Sequence, residues 1–109
     1  MTLSSTLIDA KSNNKFIFDM TKGSATRGFK LYNTKIKKSC GFIDGWKFAN
    51  RHSQDEWEDI AKNGNFRDEI IHICSTLDNS VKNSWLPNLY QFVYANAKDS
   101  GVVPWNFYL

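Results

Sequence analysis

Cysteine is scarce in this 109-residue chain: there are two, Cys40 and Cys74, with two prolines and six glycines. Two cysteines allow one bridge at most, too few for a disulfide framework, so the composition points to a reducing compartment, the cytoplasm. No asparagine begins an Asn-x-Ser/Thr acceptor sequence. The opening Met1-Thr-Leu-Ser-Ser-Thr-Leu-Ile-Asp-Ala10 has neither a basic segment nor an apolar run of signal-peptide kind. No apolar stretch approaches the ~18 residues that a membrane span requires. Low-complexity tracts, Pro- or Ser-rich linkers and internal repeats are missing too, which leaves a single domain over 1–109 as the expectation.

What is plentiful is aromatic: four Trp, four Tyr and eight Phe. A chain of this length buries about two-thirds of its unfolded surface. Those rings are therefore enough to build a core without staples, and their number argues against disorder.

Charge divides unevenly along the chain. Residues 1–52 carry ten basic side chains and three acids, a balance of +7, while residues 53–109 carry four basic and eight acidic, a balance of −4. The modest net +3 conceals this asymmetry, which bears on partners more than on fold.

Periodicity in the first half reads as β. A short helix is expected around Leu3–Ala10. Phe16, Phe18 and Met20 alternate with Ile17 and Asp19, and residues 29–36 form a second expected strand after a polar loop at 21–28. Residues 42–48 read either as a third strand or, with Asp44-Gly45 as a two-residue turn, as a hairpin. The second half changes period. Ser53-Gln-Asp-Glu56 is a capping box, and acids at 55, 56, 58 and 59 suit the positive end of a helix that Gly64 stops. Asn65 can cap a second helix with Phe66, Ile70, Ile73, Cys74 and Leu77 inward. A third helix is expected over 81–98, either kinked at Pro87 or restarted with Ser84 as cap and Pro87 in its first turn. The tail from Val102 to Leu109 alternates like an edge strand, available to close the sheet or to pair with a second copy in a homodimer. The expected class is α+β: a small antiparallel sheet of N-terminal strands and the C-terminal strand, packed by about three helices from 53–98.

Candidate chemistry is thin. Lys22-Gly-Ser-Ala-Thr-Arg-Gly28 has two glycines five apart, but Phe29 and Lys30 stand where a phosphate loop needs Lys and then Ser or Thr. Cys40, His52, His72 and Cys74 offer metal-ligand types without metal-ligand spacing, and no cofactor is expected. His52 or His72 beside a cation would be needed for a small RNase-like enzyme, but no spacing ties such groups together. With no catalytic constellation, a non-enzymatic binding protein of inhibitor, immunity or adaptor type is the first expectation. Its basic aromatic sheet face would comprise Lys22, Arg27, Lys30, Tyr32, Lys35, Lys37, Lys38, Trp46, Lys47 and Arg51. The expected partner is an acidic protein surface. Nucleic acid is the alternative for the same face, with Tyr32 stacking on a base. No membrane partner is expected.

Overall fold

The computed structural model describes residues 15–77 and 81–101, and among them every regular element is helical. Helix α1 spans Ala25–Leu31 and runs on through a π turn, Tyr32–Ile36, and a 3₁₀ turn, Lys37–Cys40. Helix α2 is Gly45–Ala49, α3 is Gln54–Lys62 and α4 is Phe66–Ile73. A 3₁₀ turn at Asn83–Trp85 leads into α5, Leu86–Ala95. The α+β expectation is thus overturned: no strand and no sheet occurs among the described residues. The expected N-terminal helix and C-terminal strand lie outside them.

Each misread segment has a physical reason. Residues 15–19 are extended but pair with no strand among the described residues. The Phe16 amide bonds the Gly64 carbonyl at 3.1 Å, while Phe18 packs on Phe66 and Tyr90. Residues 29–36 are helical because their buried stripe continues that of the preceding turn. Gly28, Tyr32, Ile36 and Cys40 are all buried, four residues apart. A stripe of that spacing drifts about 40° per step around an α-helix. The π turn, closed by the Lys37 amide bonding the Tyr32 carbonyl five residues back, widens the helix and keeps the stripe facing inward. Asp44 and Gly45 do not turn a hairpin: Asp44 is the extended N-cap of α2.

The second half follows its local signals. Ser53 caps α3 by accepting from the Glu56 amide at 3.1 Å, and Glu56 returns the bond to the Ser53 amide at 2.9 Å. Gly64 takes a left-handed φ of 77° and ends that helical run. Helix α4 starts after Asn65 but stops at Ile73, before the expected Leu77. At Pro87 the chain begins a helix rather than kinking one, and Pro87 sits in the first turn of α5, where its missing N–H costs nothing.

Helix α5 is the axis of the molecule. Leu86, Leu89, Tyr90, Phe92 and Val93 are buried on it, and α1, α2, α3 and α4 all pack against it. The approach of α1 is the closest. A side chain at Gly28 would collide with the Asn88 carbonyl and with Cβ of Phe92, and one at Gly23 with the Pro87 carbonyl. Around α5 runs a chain of rings: Phe29 on Phe92 (5.5 Å), Phe92 on Tyr32 (5.8 Å), Tyr32 on Phe48 (4.9 Å), Phe48 on Trp57 (6.1 Å) and Trp57 on Phe66 (5.7 Å). Buried polar tips are satisfied. Trp57 Nε1 donates to the Ala49 carbonyl at 2.8 Å, and the Tyr32 hydroxyl donates to the Ile43 carbonyl at 2.6 Å. The two cysteines form the one bridge their number allows, against the reducing compartment expected: Cys40 at the end of the 3₁₀ turn bonds Cys74 at the end of α4, with Cα atoms 4.5 Å apart. No helix is long and apolar enough to cross a membrane among the described residues.

Candidate functional site

The feature with the largest unexplained physical content is the surface of α1, its two tighter and wider turns, and α2. Between residues 20 and 54 the chain has eight cations and one acid, Asp44. The helix that buries Gly28, Tyr32, Ile36 and Cys40 must turn its other side chains outward, and Arg27, Lys30, Lys35 and Lys38 are accordingly exposed. The wide π turn leaves three successive residues, Asn33, Thr34 and Lys35, in solvent, with the Thr34 hydroxyl held on the Lys30 carbonyl at 2.8 Å. Lys47 on α2 and Arg51 just after it are exposed as well, Lys47 lying 5.8 Å over the half-buried Trp46 ring. None of these six cations pairs with a described carboxylate.

Of the ten residues expected to form a partner-binding face, the structure keeps most at the surface but not on a sheet. Lys37 is diverted: its ammonium meets Asp44 at 3.4 Å and so ties the start of the 3₁₀ turn to the cap of α2. Lys22 sits on a turn before the start of α1, close enough to Asp19 to help hold that carboxyl below its usual range, behind the larger effect of the Thr21 hydroxyl and amide. Tyr32 is the clear correction. It is fully buried between Phe48 and Phe92 and is available neither to a partner nor to a nucleic-acid base. Burial also pushes its phenol well above the usual tyrosine value, Asp44 adding to the rise and Arg51 opposing it.

The acids behave differently, because several are used by the fold. Glu56 closes the α3 capping box, and its carboxyl is lowered by the Ser53 amide and then by His52. Glu58 pairs with Lys62 at 3.1 Å, and Asp99 accepts from the Gln54 amide at 2.8 Å. His52 lies between two carboxylates, Nδ1 at 3.3 Å from Glu56 and Nε2 at 2.7 Å from Glu69, with its ring edge-on to Trp57. Both ring nitrogens are therefore engaged by carboxylates of the fold. His72 is exposed on α4. The bond between Cys40 and Cys74 removes both thiolates from any metal site in this form, and no group of three ligand side chains converges among the described residues.

The stretch from Lys22 to Gly28 is not wholly the polar loop expected there: α1 begins inside it, at Ala25, and continues where a strand was expected. Its glycines serve packing, however. Gly23 and Gly28 lie against the backbone of Pro87 and Asn88, and the Ser24 amide donates to Asn88 Oδ1 at 2.9 Å. A groove of about 260 Å³ lies between Met20, Thr21, Glu58, Tyr90, Gln91 and Tyr94. Its polar side chains are largely spent, Glu58 on Lys62 and Gln91 on the Met20 carbonyl.

One surface residue escaped the sequence reading altogether. Phe42, expected inside a strand, projects from the link between the 3₁₀ turn and α2, 67% exposed. Comparison with protein-family models, curated proteins and solved structures gives no match, so no relative assigns a role to this surface.

Proposed function

We propose that this protein is a small non-enzymatic binding module, of inhibitor, immunity or adaptor type, that covers an acidic protein surface with the helical face of α1 and α2. The observation that supports this reading is the set of six exposed cations, Arg27, Lys30, Lys35, Lys38, Lys47 and Arg51, none of which meets a described carboxylate. Carboxylates elsewhere cap helices and bridge elements, whereas these cations have no ion-pair partner among the described residues, and a partner's carboxylates would relieve their mutual repulsion. Nucleic acid is the weaker reading, since Tyr32, the ring nominated for stacking, lies in the core.

The compartment belongs to the same proposal. A buried disulfide suits an oxidising environment, so we place the protein's work there rather than in the cytoplasm suggested by its few cysteines.

The test is a triple charge reversal, Lys35→Glu, Lys38→Glu and Lys47→Glu, which leaves Lys37 on its structural pair. Binding to a labelled poly-glutamate chain and to labelled DNA and RNA is followed at two salt concentrations. The wild-type protein should bind poly-glutamate at low salt, and the variant should lose at least about tenfold in affinity with an unchanged circular dichroism spectrum. No binding by the wild type removes the reading. Tighter, steeply salt-dependent binding to nucleic acid replaces it with the alternative.

A further inference from the structure

Phe42 breaks two rules at once. It is a large aromatic with 67% of its surface in water, and its φ is +61°, in the left-handed region that bulky residues avoid. It follows Gly41, itself at φ +68°, and is the only non-glycine with positive φ among the described residues. Such a conformation persists only where the surroundings impose it. Here they do so through the backbone. The Phe42 amide bonds the Lys37 carbonyl at 2.9 Å, and the Ile43 amide reaches the Cys40 carbonyl at 3.3 Å. The Ile43 carbonyl receives the Tyr32 hydroxyl, and Lys37 binds Asp44 across the link. Cys40 is fastened to Cys74, and the Thr76 hydroxyl donates to the Ser39 carbonyl at 2.6 Å. Every tie grips the main chain or a neighbour. The Phe42 ring itself contacts no other ring among the described residues.

We infer that Phe42 is a rigid anchor, held out from the basic face to enter an apolar pocket on an acidic protein partner. This rests on the binding role proposed above and names its centre. The ring lies in the chain between exposed cations, Lys38 four residues before and Lys47 five residues after, Lys47 lying on Trp46. Aromatic groups bounded by charged side chains are where interfaces concentrate their affinity. With the backbone beneath it already held, docking has only the two torsions of the ring left to order. A protein pocket suits one projecting ring better than a lipid surface does. Stable attachment to lipid takes more than one apolar anchor, and the other large exposed hydrophobic among the described residues, Ile17, belongs to the extended segment before α1.

The test has a partner-free arm and a binding arm. Phe42→Gly removes the ring and relieves the left-handed φ, and this relief offsets the extra freedom that glycine gives the unfolded chain, so the melting temperature should stay within about 4 °C of the wild type or rise. A fall of more than about 4 °C would mean the ring serves the fold, and would overturn the proposal. In the binding arm, a labelled Glu/Ala peptide bearing a Leu patch is compared with the same peptide carrying Ser at those positions. The wild-type protein should prefer the Leu peptide by about tenfold, and Phe42→Gly should erase that preference while keeping the affinity for the Ser peptide. Equal affinity for both peptides, or a preference that survives in Phe42→Gly, defeats the anchor but leaves the basic face standing. Failure to bind either peptide at low salt defeats the basic face itself, and the anchor with it. Phe42-dependent sedimentation with phosphatidylglycerol vesicles, without peptide discrimination, overturns the assignment in favour of a membrane surface.

Discussion

Tyr32 shows how one side chain can be read in opposite ways. Flanked by lysines in the sequence, it resembles a stacking residue on a basic surface. In the fold it is wedged between Phe48 and Phe92, with its hydroxyl on the Ile43 carbonyl. The same burial governs Tyr90, whose phenol is pushed up to about 12, chiefly by desolvation and then by Glu58 and Tyr94. Both shifts have one sign. An unfolded tyrosine ionises near 10, so below that pH neither group alters stability. Above it the unfolded chain releases the proton first, and stability falls by at most about 1.4 kcal/mol per pH unit for each group until the folded value is reached. An ultraviolet titration should accordingly show Tyr32 and Tyr90 ionising late, Tyr32 only as the fold is lost. Simultaneous ionisation of all four tyrosines near pH 10 would contradict the burial.

The helix that runs from Ala25 to Cys40 explains why the first half was read as strand. Its inward residues, Gly28, Tyr32, Ile36 and Cys40, repeat every fourth position, and two of them are neither large nor strongly apolar. Meanwhile Phe29, Tyr32, Thr34 and Ile36 crowd one short stretch with residue types that favour sheets. The deciding factor is α5, which offers a groove against which only a glycine can pass at residue 28. Gly28→Ala makes the point measurable. On an open helix this change stabilises by about 0.5–1 kcal/mol. Here the added methyl meets the Asn88 carbonyl and Phe92, so a net loss of about 1–3 kcal/mol is expected in denaturant unfolding. A gain would show that α1 is free to move away from α5. Helices α3 and α4, by contrast, were legible because their signals are local. The box of Ser53 and Glu56 is complete within four residues, and the acids of both first turns complement the dipole whatever lies elsewhere in the chain.

Across the whole molecule, the Cys40–Cys74 bond joins the end of the α1 run to the end of α4 and closes a loop over a separation of 34 residues. Closure of such a loop in the unfolded chain contributes roughly 3–4 kcal/mol, a sizeable share of the stability of a small domain. Reduction, or Cys40→Ser with Cys74→Ser, should lower the unfolding free energy by about that amount. Mass spectrometry after thiol alkylation should find no free thiol before reduction. The bond also bears on the charged face. It holds the base of the turn carrying Lys38 and Phe42, so a reduced protein should become less rigid there first.

The charge asymmetry, the capping of α3, the first-turn acids of α4, the helix start at Pro87 and the cationic character of residues 20–54 were all set by the chain alone. Each depends on neighbours a few positions apart or on simple counting. The remaining features required distant residues to meet. Which face of residues 25–40 is buried follows from contact with α5, and the pairing of Cys40 with Cys74 from the docking of α1 and α4. The exposure of Phe42 follows from hydrogen bonds that tie its link to the Tyr32 hydroxyl and to the Lys37 and Cys40 carbonyls. Periodicity reports only that a side chain prefers to leave water. Where it goes, and which residues remain outside for a partner, is settled when long-range packing selects one arrangement of helices over the sheet that the local pattern favoured.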